Sequence, residues 1–213
     1  MISVIIPTYN RPDTLMHRAI PSVLAQTHTD WECHVVGDGT DDETVALMEK
    51  LALEDPRFRF TNLPHQSYPE DFDARWAVIG LASLNYGIDH ALGDWIAVLA
   101  DDDAWTPDHN EVLLAAAERE HADHVYGISE VYNKAGVSTG QRYGAWPPGG
   151  GQLSNGANLY RTSLPFRYDL DCYTNRRRYG DADLWMRMWE SGAVRFYFLP
   201  HLVLHYHRNW PPP

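Results

Sequence analysis

Three consecutive carboxylates, Asp101, Asp102 and Asp103, follow directly on the apolar run "WIAVLA" over residues 95–100. Adjacent carboxylates repel one another, so three of them at the end of an apolar segment call for a cation. As hard oxygen donors they suit Mg²⁺ or Mn²⁺ held against a ligand diphosphate. Capping of a helix near Pro107 accounts for one such acid, not for three. Two further stretches carry groups of the same kind. "PTYNRP" over 7–12 offers Pro7, Thr8, Tyr9 and Arg11, and "GDGTDD" over 37–42 offers Asp38 and Thr40. The Asp38 carboxylate can accept a hydrogen bond from a nucleobase imide N–H, and Tyr9 can present its ring or hydroxyl to a base or ribose. The alternatives are helix capping for Asp38 and Asp42 and plain packing for Tyr9. Late in the chain "GDADLWMR" over 180–187 places Asp181 and Asp183 in the first turn of a helix, where capping again competes with chemistry. "HLVLHYHR" supplies His201, His205 and His207; on a strand the last two share a face. A tight zinc site fits poorly, since no closed set of cysteine and histidine ligands accompanies them.

Positioning these groups falls to alternating strands and helices. The β-branched run over 2–7 reads as a strand buried on both faces, and helical spacing follows over 12–27, with Pro21 kinking or splitting it. Strands are expected over 31–38, 57–63 and 95–100, with helices over 41–54 and 76–92 between them. Such repeated βα units imply an α/β fold with a mostly parallel sheet flanked by helices. Ligands of such sheets bind beyond the carboxyl ends of the strands, where the acids and loops above fall along one rim. After a helix near 106–121 the pattern changes to a hairpin over 124–133 and 136–144, a mobile "WPPGGGQ" loop over 146–152, a helix over 180–192, and two strand-like runs, 194–200 and 201–207.

The 213 residues suffice for one domain. A formal net charge of −12 argues against nucleic acid as a partner, because such binders neutralise phosphates with clustered Lys and Arg. The basic run at 176–178 reads as a solvated loop or, failing that, an anion clamp. Cys33 and Cys172 lack a CxxC spacing and read as free thiols. The first residues lack the charge and apolar length of a signal peptide, no window reaches the length of a transmembrane span, and nothing after residue 207 suggests an anchor; a cytoplasmic protein is expected.

The segments "VIIPTYNRPDTL", "SVLAQTHTDWE", "VVGDGTDDET", "ALGDWIAVLADDDAWTPD" and "GDADLWMRMWESG" occur in the order found in family 2 glycosyltransferases of the GT-A fold. The chain most resembles the bacterial spore-coat polysaccharide branch. The similarity is dense over 1–110, loose to 175 and returns around 176–192. It implies a Rossmann-like nucleotide-sugar binding half over 1–103, and a smaller mixed acceptor and catalytic half over 104–213.

By that resemblance Pro7, Thr8 and Tyr9 line the nucleotide pocket, Asp38 pairs with uracil or thymine, Asp101 lies near the ribose and Asp102 ligates the metal. Asp103 supports that metal site, and His205 or His207 matches a late family histidine that completes the metal site or touches the diphosphate. Ala100 stands where many members carry a first aspartate, and Leu84 where an arginine often contacts the diphosphate; Arg11 or Arg75 would take over that contact. Asn85 and Gly87 in "SLNYGI" match a family helix motif. Asp181 aligns with the family's general base, two residues before Asp183.

The implied activity is metal-dependent, inverting transfer from a UDP- or dTDP-sugar to an acceptor hydroxyl on a glycan, a small molecule or a protein, with Mn²⁺ or Mg²⁺ as cofactor. The loop over 146–152 would close on the donor or shape the acceptor site, and Trp146 could stack on a sugar, with core packing favoured for Trp185. A non-catalytic nucleotide-sugar or glycan binding protein is the alternative, motivated by Ala100 and Leu84. A sugar nucleotidyltransferase is disfavoured, because "PTYNRP" and not a glycine-rich loop follows the first strand.

Overall fold

A computed structural model describes residues 1–149 and 152–208. Period-2 alternation in the apolar strands builds two hydrophobic layers, one on each side of the sheet. In β1 (Ile2–Thr8), Ile2, Val4 and Ile6 enter one layer and Ile5 the other. β4 (Trp95–Val98) divides in the same way, with Trp95 and Ala97 opposite Ile96 and Val98. With β2 (Trp31–Asp38) buried throughout, burial on both faces selects a parallel sheet covered by helices.

β3 (Phe58–Leu63), β2, β1 and β4 run parallel in that order. The expected β-α-β-α-β-α-β start is therefore present. Beyond β4 the sheet becomes mixed. β8 (Asn158–Arg161) lies antiparallel to β4, and β6 (His124–Tyr132) antiparallel to β8. β9 (Phe196–His207) runs parallel to β6 and accepts the two-residue β5 (Ala104–Trp105) on its far edge. β7 (Ser138–Tyr143) pairs β6 as the expected hairpin.

Several elements differ from the sequence reading for definable reasons. The helix expected over 12–27 is a composite of α1 (Pro12–Thr14), a π-helical turn (Leu15–Ala19) and α2 (Ile20–Leu24). Pro21 has no N–H to give the preceding turn, and the wider turn accommodates that loss. After α3 (Asp42–Glu54), the helix expected over 76–92 is two helices, α4 (Phe72–Val78) and α5 (Leu81–Asp89). Asp71 starts α4 early by accepting the Ala74 N–H at 2.8 Å, and Gly80 breaks the run at φ +76°, a conformation that strains any residue with a Cβ. α6 (His109–Arg119) is shorter than expected. The two late runs form one strand, β9, bulged where Pro200 interrupts its pairing between Phe198 and Leu202. β5, β8 and α7 (Cys172–Arg176) were not anticipated. α8 (Gly180–Glu190) lies where predicted. Of the loop expected over 146–152, Gly150 and Gly151 lie outside the described residues.

Candidate active site

The carboxyl ends of β1, β2 and β4 meet as the rim argument requires. Asn10, at φ +50°, ties the first two loops together: its N–H donates to Thr40 Oγ1 at 2.8 Å and its Oδ1 accepts the Asp41 N–H at 2.7 Å. Across the rim Thr8 Oγ1 donates to Asp101 Oδ2 at 2.9 Å. The Arg11 guanidinium spans the first two acids, 2.8 Å from Asp102 Oδ2 and 3.3 Å from Asp101 Oδ1. Arg18 donates to the Asp102 carbonyl at 2.6 Å. Burial, with the charge of Asp102 added, pushes the Asp101 carboxyl up to about 6, against the pull of Arg11.

The third aspartate has a different environment. Asp103 is buried, and its Oδ1 accepts the backbone N–H of His207 at 2.7 Å. Burial first and the neighbouring Asp102 second raise its carboxyl well above the usual range. The His205 and His207 rings both pack on Tyr132, at 4.9 and 5.2 Å between centroids. Burial lowers both imidazoles, His207 to about 4, so both are neutral near pH 7. Among the described residues His207 Nδ1 is buried without a hydrogen-bond partner. Asp102, Asp103, His205 and His207 were expected as a metal set; among the described residues no group of three or more His, Cys, Asp or Glu is arranged to hold a metal ion.

At the end of β2, Asp38 is buried and its carboxylate accepts from the Tyr68 hydroxyl at 2.5 Å and the Gln66 N–H at 2.9 Å. His65 Nδ1 sits 2.9 Å from the Asp38 carbonyl, and the His65 ring stacks on Tyr9 at 4.9 Å. Sequence reasoning missed His65 and Tyr68. Their signal was available: "PHQSYP" over 64–69 follows the third strand on the same rim. Two residues named from the resemblance hold loops. The Asn85 amide clamps the Tyr168 backbone through bonds of 2.8 and 2.9 Å, and Arg75 Nε donates to the Pro69 carbonyl at 2.9 Å. Gly87 on α5 is explained by packing, since a Cβ there would lie 2.5 Å from Ile5 Cγ2.

Residues 3–70 and 78–196 match the profile of Glycosyl transferase family 2. The chain belongs to that family.

This family 2 chain is 32% identical over 135 residues to Protein CgeD of Bacillus subtilis, covering 61% of this chain. It is 31% identical over 138 residues, 64% of this chain, to the GalNAc(5)-diNAcBac-PP-undecaprenol beta-1,3-glucosyltransferase of Campylobacter jejuni. It spans 29% and 40% of those two proteins' lengths. Among solved structures, S. aureus TarS 1–349 in complex with UDP superposes with a TM-score of 0.69 at 16% identity, over 97% of this chain and 60% of that one. The mannosyltransferase PcManGT from Pyrobaculum calidifontis, in complex with GDP-Man and Mn²⁺, gives 0.67 at 14% identity over 99% and 57%. These structures share the fold, a GT-A arrangement of curled, mostly parallel sheet and flanking helices.

The late acids of the family 2 domain separate cleanly. Asp183 is fully buried and is held by Arg176 through Nε and Nη2 and by Arg187 Nε at 2.7 Å. Arg176 also reaches Asp169. Asp181, two residues earlier, is half-buried and accepts the Ala182 N–H at 2.7 Å; among the described residues it meets no cation. Burial raises its carboxyl above the usual range. Gly180 sets this end of α8 against α4: a Cβ there would lie 2.8 Å from the Ala77 carbonyl and 2.6 Å from Leu81 Cδ1. Trp185 is core, ringed by His124, Tyr160 and Tyr168. Trp146 packs edge-on against Trp189, at the end of α8 away from Asp181.

Proposed function

We propose that this chain transfers a sugar with inversion from a UDP- or dTDP-linked donor to an acceptor hydroxyl, with Asp181 as general base. The observation that carries the proposal is the contrast between Asp181 and Asp183. Arginines neutralise the second, while the first meets no cation among the described residues and its burial strengthens it as a base. An inverting transfer needs such a carboxylate to take the acceptor hydroxyl proton as its oxygen attacks the anomeric carbon.

On this reading residues 1–103 bind the donor and 104–213 the acceptor. Tyr9, stacked on His65, faces the base, and Asp38 keeps lone pairs for an imide N–H beyond those that Gln66 and Tyr68 occupy. Thr8 and Asp101 approach the ribose, and Arg11 counters diphosphate charge. UDP bound in TarS supports a uridine donor, and the glycan-lipid acceptor in the name of the C. jejuni relative supports a glycan acceptor for polysaccharide synthesis.

The donor chemistry around Asp102 fits Mn²⁺ or Mg²⁺. Two neighbouring carboxylates already draw one cationic group, Arg11, onto themselves, and a buried imidazole nitrogen of His207 lacks a partner. Sites of this type use one or two carboxylates plus ligand phosphates, so a preformed three-ligand cage is not required. Asp102 would hold the ion, with Asp103 and His205 or His207 in support; its positive charge would offset that developing on the departing diphosphate. Mn²⁺ in the PcManGT complex supports the choice.

The test is Asp181→Asn. Sugar transfer and slow donor hydrolysis are lost while UDP binding with Mn²⁺ persists; near-normal turnover in this variant refutes the assignment.

A further inference from the structure

Where the β6–β7 hairpin meets the end of β9 there is a cavity of about 480 Å³, within the range of small-ligand sites. Val131, buried on β6, lines it together with Thr139 and Gln141 of β7, Asn133 and Lys134 of the hairpin turn, and Arg208, the residue after β9. Alternation along the strands sets which face these groups share. Glu130 bonds Ser138 and Arg142 on one face, where it lies in register with His205, and the His205 and His207 rings pack on Tyr132 there. Tyr143, Tyr206 and Arg208 occupy the other. The two tyrosine rings are 6.3 Å apart, and Arg208 Nη2 donates to Tyr143 Oη at 2.6 Å.

That bond orients the arginine without neutralising it. Tyr143 Oη accepts a second bond from Gln141 Nε2 at 2.9 Å, and the Arg208 backbone N–H is fixed on the Tyr132 carbonyl at 2.9 Å. Among the described residues no carboxylate pairs with Arg208 or Lys134, whereas Arg11, Arg142, Arg176 and Arg187 each face one. Glu130, the one acid of the hairpin, is committed to Arg142 on the opposite face. On the cavity side the charges of Asp103 and Asp102 reach Tyr206, whose phenol burial pushes up to about 12, and Arg208 opposes them there.

Two uncompensated cations on one cavity, in a chain of net charge −12, attract an anion that the rest of the surface repels. The fork of Arg208 keeps N–H groups beyond the one given to Tyr143, and such a fork matches phosphate oxygens. A second cation, Lys134, suits a group with more than one negative charge. Because His205 and His207 lie on the opposite face, the cavity is separate from the metal set of the donor reading. We propose that it is a second anion site, which takes the phosphate or diphosphate group of a ligand other than the nucleotide donor.

Inorganic pyrophosphate is the probe, titrated into the full chain in EDTA, where the acid triplet has no metal through which to hold it. The amide NMR signals of Lys134, Gln141 and Arg208 are expected to shift, and Lys134→Ala and Arg208→Gln each to weaken binding about tenfold. Arg208→Lys retains part of the affinity, and Asp38→Ala, which removes nucleotide binding, leaves it unchanged. No shift at these amides, unchanged binding in both cation variants, or loss of binding in Asp38→Ala overturns the site. Vesicles of phosphatidylglycerol against phosphatidylcholine decide the source of the phosphate. Binding to the anionic vesicles that the cation variants abolish identifies a lipid headgroup, and pyrophosphate binding without it a soluble phosphorylated ligand; either supports the site. These readouts need neither turnover nor metal, so failure of this site is distinct from failure of the Asp181 assignment.

Discussion

Asp103 and His207 meet across 104 residues of chain, the aspartate Oδ1 taking the histidine backbone N–H at 2.7 Å. This bond, with the two-residue pairing of β5 on β9, fastens the last strand to the end of the acid triplet. Asp103→Ala leaves that N–H without its acceptor and costs about 1–3 kcal/mol in urea unfolding. Asp103→Asn keeps an oxygen there and is expected to cost less. Amide exchange at His207 reads the bond directly: it speeds up in the alanine variant and stays slow in the asparagine one.

The two acids of α8 are expected to separate by stability as well as by activity. Asp183→Ala strands Arg187, leaves Arg176 with Asp169 alone and costs about 3 kcal/mol, the low end of the range for a broken buried pair because both arginines retain access to water. Asp181→Asn removes a buried carboxylate that no cation among the described residues stabilises, so its denaturation midpoint stays at or above that of the wild type. Equal losses in the two variants would contradict the division of roles.

Gly180→Ala tests positioning. The added Cβ meets the Ala77 carbonyl and the Leu81 methyls, so the first turn of α8 must shift away from α4. Displacement of a reacting group by about 1 Å costs on the order of a hundredfold in rate. We expect kcat to fall on that scale while UDP affinity holds, as measured by turnover and by titration calorimetry side by side.

Acid sensitivity follows from two buried histidines. Burial lowers His109 to about 4, with its ring between Asn110 Oδ1 and the Gly156 carbonyl. Burial among aromatic rings lowers His124 to about 3. Each binds fewer protons folded than unfolded. Their contribution is therefore complete above about 6.5 and is lost as pH falls towards the folded values, by about 2 kcal/mol for each at pH 5. Asp101, raised to about 6, works in the opposite direction over part of that range. The difference in urea midpoint between pH 7.5 and pH 5 contains the histidine share, and His109→Gln is expected to shrink it; an unchanged difference would exclude the mechanism.

Binding of UDP gives a metal-dependent prediction. At a hundredfold excess over its dissociation constant the nucleotide stabilises the fold by roughly 2.7 kcal/mol. EDTA or Asp102→Asn is expected to remove most of that thermal shift, and Asp38→Ala to remove it whether or not Mn²⁺ is present. Indifference to every nucleotide would undo the donor assignment.

The sequence by itself determined the first half of the fold. Its apolar runs are short, β-branched and spaced by helical periods, which leaves a parallel sheet as the way to bury them, and the loops at the strand ends then share one rim. Ordered motifs were enough to name the acids and the family. Tertiary structure decided how each group is used, because that depends on partners far away in the chain. Asp181 and Asp183 look alike as letters; Arg176 and Arg187 tell them apart. The triplet reads as a ribose contact, a metal ligand and a supporting acid, yet Arg11 takes up Asp101 and Asp102 while β9 takes up Asp103. Asn85 reads as a ligand contact and is found clamping Tyr168.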